Sequence, residues 1–564
     1  MQEYRWEVKE VDEAAVEALH QSLKINPLLC RLLVSRGITT YDEAFKFFRP
    51  KLSDLHDPFL MKDMDAAIAR IELAIQKKER VLVYGDYDVD GTTSVALVFT
   101  FFKDLLEDLG HYQPDRYKEG YGISTASIDF AKDNGYSLII ALDCGIKAVE
   151  KVNYAKEKGI DYIICDHHLP NDEIPAAIAV LDPKRKDCNY PYKELSGCGI
   201  GFKLIQAFAT KNNIDEGKVY DLLDLLAISI SADIVPITGE NRVLTYFGLE
   251  LINKHPRAGI KALLRTAQCD KILNITDLVF VIAPRINAAG RIKHANYAVE
   301  LLLEENADKA LEKAIEINDH NLTRRDLDKD ITESALDMLK DDLSFLSKKS
   351  TVVYQEDWHK GVIGIVASRL IENYYKPTVV LTSSNGKIVG SARSVKGFNL
   401  YDALEACEDH LIQFGGHKYA AGMTLTEEQI PGFIQKFEEV VSSTIKEASL
   451  TPVIEIDAEL EFSVIDDKFF NIVEQFAPFG PGNMRPVFVT RDVRDSGNSR
   501  IVKEAHLKVE VFKSGQRNMK GIAFGMAPKL EYIQRKTQFD ICYQLQMNEW
   551  KDYKNIEMMV KDIR

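Results

Sequence analysis

Three carboxylates spaced two residues apart carry the first chemical signal in this chain. Asp86, Asp88 and Asp90 alternate with Tyr87 and Val89 inside the stretch RVLVYGDYDVDGTTS, Arg80–Ser94. In an extended segment they would share one face and repel one another severely without a cation. The pattern also begins a calcium EF-hand loop, but that loop needs a bidentate Glu at its twelfth position, here Leu97, and a helix in front of it. What precedes it here is Val81–Tyr84, an apolar run that reads as a buried strand. Asp143 directly follows a second such run, Leu138–Leu142, and Asp166, His167 and His168 directly follow a third, Tyr162–Cys165. A solvated turn accounts for one acid of this kind. Acids ending three successive runs, with a His pair on the last, point to a metal site.

The elements that must position these residues follow from the spacing. Apolar strands separated by helical segments describe a parallel, doubly wound sheet, in which ligands bind beyond the carboxyl ends of the strands. Gly91 to Ser94 are expected to turn the chain into a helix over Val95–Phe102. Residues 1 to about 75 show helical spacing and no chemistry, with Asp63 read as an N-terminal cap. The loop PDRYKEGYGIS, Pro114–Ser124, brings Arg116, Lys118 and Tyr121. Leu222–Ile230 reads as a helix closed by Asp233, which by residue type alone is a helix-end acid.

Glu304–Ser347 is charged and free of Gly and Pro, so it reads as long connecting helices, with Arg324 and Arg325 on a solvated face more readily than against phosphates. Residues 350–446 form a second α/β unit containing GSARS (Gly390–Ser394) and GGHKYAAG (Gly415–Gly422). Small residues around Arg393 and His417 let backbone amides and both side chains approach an anion closely. From Thr451 onward the pattern changes to five or six short strands, beginning with VIEIDAELEF, which suggest a small barrel. Phe488, Phe512 and Trp550 could stack on bases there, although barrel core is the commoner use of such residues.

At 564 residues the chain is too long for one ordinary domain, and 46% hydrophobic with 28% charged residues is a soluble globular composition. No apolar run approaches a membrane span, and the first residues lack signal-peptide character. Eight cysteines without a C-x-x-C pair suit reduced thiols in a cytoplasm better than disulfides or a zinc site. A net charge of −15 gives no encouragement to nucleic-acid binding, yet does not exclude it, because binding depends on local basic surface.

DYDVDG, LDCG, DHH and SADIVP, in this order and at these separations, resemble the four motifs of the DHH phosphoesterase superfamily. APRINAAGR (Ala283–Arg291), GSARS, GGHKYAAG and PFGPGNMRPVF (Pro478–Phe488) narrow the resemblance to the RecJ-type single-strand DNA exonucleases, over roughly residue 50 to the C-terminus. One departure is Tyr84, which stands where many superfamily members place a ligating His. The resemblance implies an α/β fold: an N-terminal helical segment (1–50), a DHH domain with a parallel sheet (51–303), connecting helices (304–349), a DHH-associated domain (350–446) and an oligonucleotide/oligosaccharide-binding (OB) β-barrel (451–564).

It also implies two divalent ions, Mn²⁺ or Mg²⁺, since carboxylates with one imidazole suit hard to borderline cations. One ion is expected among Asp88, Asp143 and Asp86, the other among Asp90, Asp143, His167 and Asp233, with Asp143 bridging. His168 is then available to stabilise the transition state, and Asp166 to orient a His. Arg393, Ser391, Ser394 and His417 are the expected contacts to phosphates near the metals. Arg116 and Arg285, with Arg291 nearby in sequence, are the expected contacts to a 5′-terminal phosphate. The expected architecture is a cleft with metals on one wall and Arg393 and His417 on the other, admitting one strand and excluding a duplex.

The expected activity is 5′-to-3′ hydrolysis of single-stranded DNA by in-line attack of water, in DNA repair and recombination. The expected protein is a cytoplasmic monomer, working beside a single-strand-binding protein and a helicase. Three rivals differ in their needs. A DHH phosphodiesterase for short oligonucleotides or cyclic dinucleotides would need no barrel, an inactive scaffold would have lost ligands, and a pure single-strand binder would need no metal site.

Overall fold

The computed structural model describes residues 3–550 and 553–564. The chain divides into two compact units, one of Glu10–Asn321 with Leu460–Arg564, the other of Met1–Lys9 with Leu322–Glu459. A single 35-residue helix, Ala307–Asp341, carries the chain from the larger to the smaller. The expectation that the first 75 residues are all helical is corrected at their start. A strand, β1 (Arg5–Val8), precedes the helices Glu13–Leu23, Pro27–Val34, Tyr41–Phe48 and Met64–Lys77. Asp63 is also read differently: it occupies the position before Met64 at φ +67° but caps nothing, and its carboxylate instead takes a 2.6 Å hydrogen bond from Arg185.

The larger unit is built on a parallel sheet of β2 (Val81–Gly85), β3 (Leu109–Tyr112), β4 (Leu138–Leu142), β5 (Asp161–Cys165) and β6 (Ala179–Leu181), in the order β3-β2-β4-β5-β6. All four pairings are parallel. Alternate side chains go to opposite faces, Val81, Val83, Ile140 and Ile163 to one core and Leu82, Tyr84, Ile139 and Ile164 to the other. Burial on both faces is why these strands read as continuous apolar runs. Strand order reverses between β2 and β4, and a sheet of this order opens its ligand crevice beyond the carboxyl ends at that point.

From residue 488 onward the barrel's strands are Phe488–Asp495, Arg500–Val502, His506–Phe512, Met519–Ala523, Phe539–Trp550 and Tyr553–Ile563. The first of these pairs with both the fifth and the third, which brings the sheet round on itself. Phe488 is fully buried and is barrel core, Phe512 is half-buried on the outer face, and the Trp550 side chain lies outside the described residues. VIEIDAELEF does not contribute its first strand to the barrel; that strand pairs with β1.

The motif PFGPGNMRPVF fastens the barrel to the rest of its unit. Arg242, 5% exposed, donates to the carbonyls of Phe47, Phe476 and Ala477 at 3.0, 2.8 and 2.9 Å, and its guanidinium lies 3.8 Å from the Phe47 ring centroid. Asn483 donates to the Phe476 and Pro478 carbonyls and accepts from Arg36, and Ile237 donates to the Pro481 carbonyl.

The smaller unit holds a five-stranded sheet of β7 (Thr351–Tyr354), β8 (Thr378–Ser384), β9 (Lys387–Arg393), β10 (Gln413–His417) and β11 (Ala420–Leu425), in the order β10-β11-β9-β8-β7. Its second sheet is β1 paired in parallel with β12 (Val453–Ile456), through Arg5–Val453 to Val8–Ile456.

Because Arg242 donates to several backbone carbonyls at once from a buried position, Arg242→Met is expected to destabilise the protein by at least about 2 kcal/mol. Urea unfolding followed by tryptophan fluorescence measures this, and an unchanged midpoint would remove the fastening role.

Candidate metal centre

Each acid is delivered by a strand or helix end. Asp86 follows β2, and Asp88 caps the helix Val89–Phe102, accepting from the Gly91 N–H at 3.0 Å. The helix therefore starts six residues before the expected Val95, and Asp90 belongs to its first turn rather than to an extended segment. The three acids converge through a strand-to-helix turn, not through strand alternation. Gly91 permits it: a Cβ there would lie 2.3 Å from the Asp86 carbonyl oxygen. Asp143 follows β4 with φ +58°, a left-handed conformation uncommon for any residue but glycine. Asp166 follows β5, and Asp233 ends the helix Leu223–Ala232.

His167 is at the centre. Its Nε2 lies 3.2 Å from Asp143 Oδ1, 3.6 Å from Asp233 Oδ2 and 3.9 Å from Asp90 Oδ2, yet neither ring nitrogen makes a hydrogen bond. Burial lowers the His167 pKa, which favours the neutral imidazole and its free lone pair. The carboxylates press on one another. Burial first, and then Asp88, raises Asp86, while burial and then Asp90 and Asp88 raise Asp143 well above the usual carboxylate range. Burial and then Asp90 raise Asp88, and Asp233 is pushed up to about 9 by burial, Asp90 and Asp88. Asp86 Oδ2 is buried without a partner. An imidazole without a hydrogen bond, an unpartnered Asp86 oxygen and several crowded carboxylates are a donor set that fits divalent cations of the Mn²⁺ or Mg²⁺ type.

The surroundings hold this set rigidly. Asp90 accepts from the Gly197 and Cys198 N–H groups at 2.7 and 2.8 Å and from the Ser229 hydroxyl at 2.7 Å. Gly197 also packs against Asp143, where a Cβ would come within 2.5 Å of the Asp143 Cβ. The run SGCG that opens the helix Gly197–Lys211 was a legible cap signal, Ser196 followed by small residues, but nothing in it names Asp90 or Asp143 as its partners. Tyr84 donates to the Gly122 carbonyl at 2.7 Å and stacks on Tyr112, so it fills the missing histidine's place with structure.

Asp166 accepts from the backbone of Ile146, His167 and His168 and from His168 Nδ1 at 2.7 Å. Burial works against its charge, but these bonds and the two histidines hold its pKa down to about 2. Against burial, the same contact raises the His168 pKa. His168 Nε2 lies 3.2 Å from the Tyr121 hydroxyl, a partner that spacing could not reveal. Asp182, fully buried directly after β6, is a further strand-end acid that the sequence reading passed over.

The cationic candidates fall in three places. The Arg116 guanidinium lies 4.7 Å from the Tyr87 ring centroid and acts electrostatically on Asp86. Arg291, on the helix Ala283–Ile292, offers its carbonyl to the Tyr117 hydroxyl, and neighbouring Gly290 approaches the Tyr87 carbonyl. Arg285, on the same helix, donates to Asn318 at 3.1 Å and to the Val281 carbonyl at 2.7 Å. In the smaller unit Ser391 and Arg393 lie on β9 over Gly364, and β11 links β9 to the exposed His417. The Arg393 guanidinium donates to the Ser391 hydroxyl at 3.2 Å, and Ser394 donates to the Phe398 carbonyl. Arg324 is half-buried beside Asp328, so it is not on the solvated face expected for it, whereas Arg325 is exposed.

Fold and donor set together define a DHH-type phosphoesterase. The DHH family N-terminal domain matches residues 80–230, the DHHA1 domain 347–443 and the RecJ OB domain 456–562. The single-stranded-DNA-specific exonuclease RecJ of Bacillus subtilis is 37% identical over 563 residues, 99% of this chain and 70% of that protein. Its Escherichia coli counterpart is 32% identical over 583 residues, 98% of both chains. RecJ of Thermus thermophilus, solved in complex with Mn²⁺, superposes with a TM-score of 0.85 at 25% identity, covering 100% of this chain and 79% of that one. This chain belongs to the RecJ family of single-stranded-DNA-specific exonucleases.

Gly197→Ala should displace Asp143 and lower Mn²⁺ affinity at least about tenfold, the scale on which supporting-shell changes act. Calorimetric titration checks this, with circular dichroism to confirm the fold; wild-type affinity in a folded variant would contradict the packing role.

Proposed function

We propose that this protein hydrolyses single-stranded DNA from its 5′ end to mononucleotides, using two divalent ions held by the strand-end cluster. The observation that carries the reading is the unbonded His167 surrounded by Asp90, Asp143 and Asp233. Asp88 and Asp143, with Asp86 beside them, would hold one ion; Asp90, Asp143, His167 and Asp233 would hold the other. Bound there, the ions supply a water of lowered pKa and a clamp on the phosphoryl oxygens. The protein's own part is to place charge. Asp166 fixes the His168 ring through Nδ1 and favours its protonated form, which sets a cation beside the cluster for the developing negative charge.

Arg116, over the turn that carries Asp86 and Asp88, is assigned to the 5′-terminal phosphate, with Arg285 and Arg291 on the helix behind that turn. Ser391, Arg393, Ser394 and His417 are assigned to the phosphates of the strand. The barrel is assigned a second grip on the strand through its outer face. There Phe524 is 59% exposed, its ring meets His506 edge-on at 5.2 Å, and Lys508 and Lys520 lie on the paired strands. The same reading makes the protein a cytoplasmic monomer acting in DNA repair, with a single-strand-binding protein and a helicase as partners.

The test is gel analysis of end-labelled single-stranded and duplex DNA with Mn²⁺ or Mg²⁺ at fixed salt. Mononucleotides released from the 5′ end of the single strand alone are expected. Arg116→Ala or Arg285→Ala should reduce the preference for a 5′-phosphate over a 5′-hydroxyl end, and Arg393→Ala should slow both ends alike. Hydrolysis confined to dinucleotides or cyclic dinucleotides would overturn the reading in favour of a small-substrate phosphodiesterase.

A further inference from the structure

Ile234 follows Asp233 directly and has φ +61°. A β-branched side chain in this region crowds its own backbone, and glycine or asparagine is the residue type that occupies it readily. Burial does not compensate: Ile234 is 65% exposed, whereas the next apolar residues, Val235 and Ile237, are 8% and 1% exposed. The turn instead separates two duties. Asp233 faces His167, with Oδ2 3.6 Å from its Nε2, and the following side chain stands in solvent at the edge of the cluster.

Two other large exposed apolar side chains lie next to a residue of the cluster, His168. Leu169, next to His168, is 69% exposed, and Tyr121, whose hydroxyl lies 3.2 Å from His168 Nε2, is 53% exposed. One exposed apolar residue needs no explanation. Three, each adjacent in sequence or hydrogen-bonded to a residue of a charged centre, put exposed apolar surface next to its residues. In a nucleotide held by its phosphate, the part that gains from apolar contact is the face of the base.

We infer that Ile234 packs against the nucleobase of the nucleotide whose phosphate lies at the metal centre, and that the left-handed backbone is maintained to present it. The inference deepens the exonuclease reading and rests on it. Strained conformations persist where the surrounding structure over-determines them, and such residues cluster at active sites.

The test compares release of a 5′-terminal nucleotide that carries a base with release of an abasic tetrahydrofuran analogue, for wild type, Ile234→Gly and Ile234→Asn. The wild type should prefer the base-bearing end, and both variants should lose about fivefold of that preference, the scale of a partial apolar contact. Thermal midpoints should not fall, because glycine and asparagine suit φ +61°, and the number of bound Mn²⁺ ions should stay at the wild-type value. A wild-type ratio in both variants would overturn the inference. So would a fall in thermal stability in both, which would make Ile234 a residue of the fold, or a loss of bound Mn²⁺, which would make it a support for Asp233. A wild type that degrades neither strand would fail at the exonuclease reading itself, before any variant is compared.

Discussion

Repulsion among buried and half-buried carboxylates is the constraint on which the rest of the larger unit depends. Asp86, Asp88, Asp143 and Asp233 all have raised pKa values from burial and from neighbouring acids, Asp90 among them, and the imidazole that lies within 4 Å of three of the cluster's acids has a lowered one. Such an arrangement costs folding energy unless cations enter or protons are taken up. The fold meets that cost by burying β2, β4 and β5 on both faces, so that the cluster is held by strands with no freedom to splay.

Geometry at the ends of those strands is enforced locally. Gly91 and Gly197 admit no Cβ because backbone or Asp143 stands in its place, and Asp143 itself is held left-handed. The two helix N-termini that enter the site have opposite uses. Asp88 caps the helix that follows it in sequence, whereas Asp90 takes its N–H groups from Gly197 and Cys198, more than a hundred residues on. Asp90 is thereby aligned by neutral donors, which leaves the charge of the cluster uncompensated and available for cations.

How much of this was legible depended on range. The strands β2, β4 and β5 declared themselves because burial on both faces writes a continuous apolar run, and the acids ending them were therefore readable as a set. LGHY of β3 and AVL of β6 are too short, and β3 too polar, to stand out from loop. Val-Asp-Gly-Thr-Thr-Ser looks like a turn by propensity, yet tertiary burial makes it the first turns of a helix. Asp233 carried no local signal beyond a helix end, and its meeting with His167 is purely tertiary. In the barrel, Phe488 and Phe524 are alike as residues, but one lies in a paired strand and is core while the other falls in the turn after Met519–Ala523 and is surface. The pairing of Arg5–Val8 with Val453–Ile456 spans most of the chain, so no pattern near either strand announces it.

The central claim, that the cluster is a strained set of charges completed by cations, is tested most directly by thermal unfolding of the full chain with and without divalent metal. The account predicts that protein stripped with EDTA gains several degrees on adding Mn²⁺, saturating at two ions per chain. It also predicts that Asp143→Asn, which removes one charge without changing shape, raises the metal-free midpoint and loses most of the Mn²⁺ gain. A metal-free wild type as stable as the Mn²⁺-loaded protein, together with an Asp143→Asn variant less stable than wild type in EDTA, would contradict it.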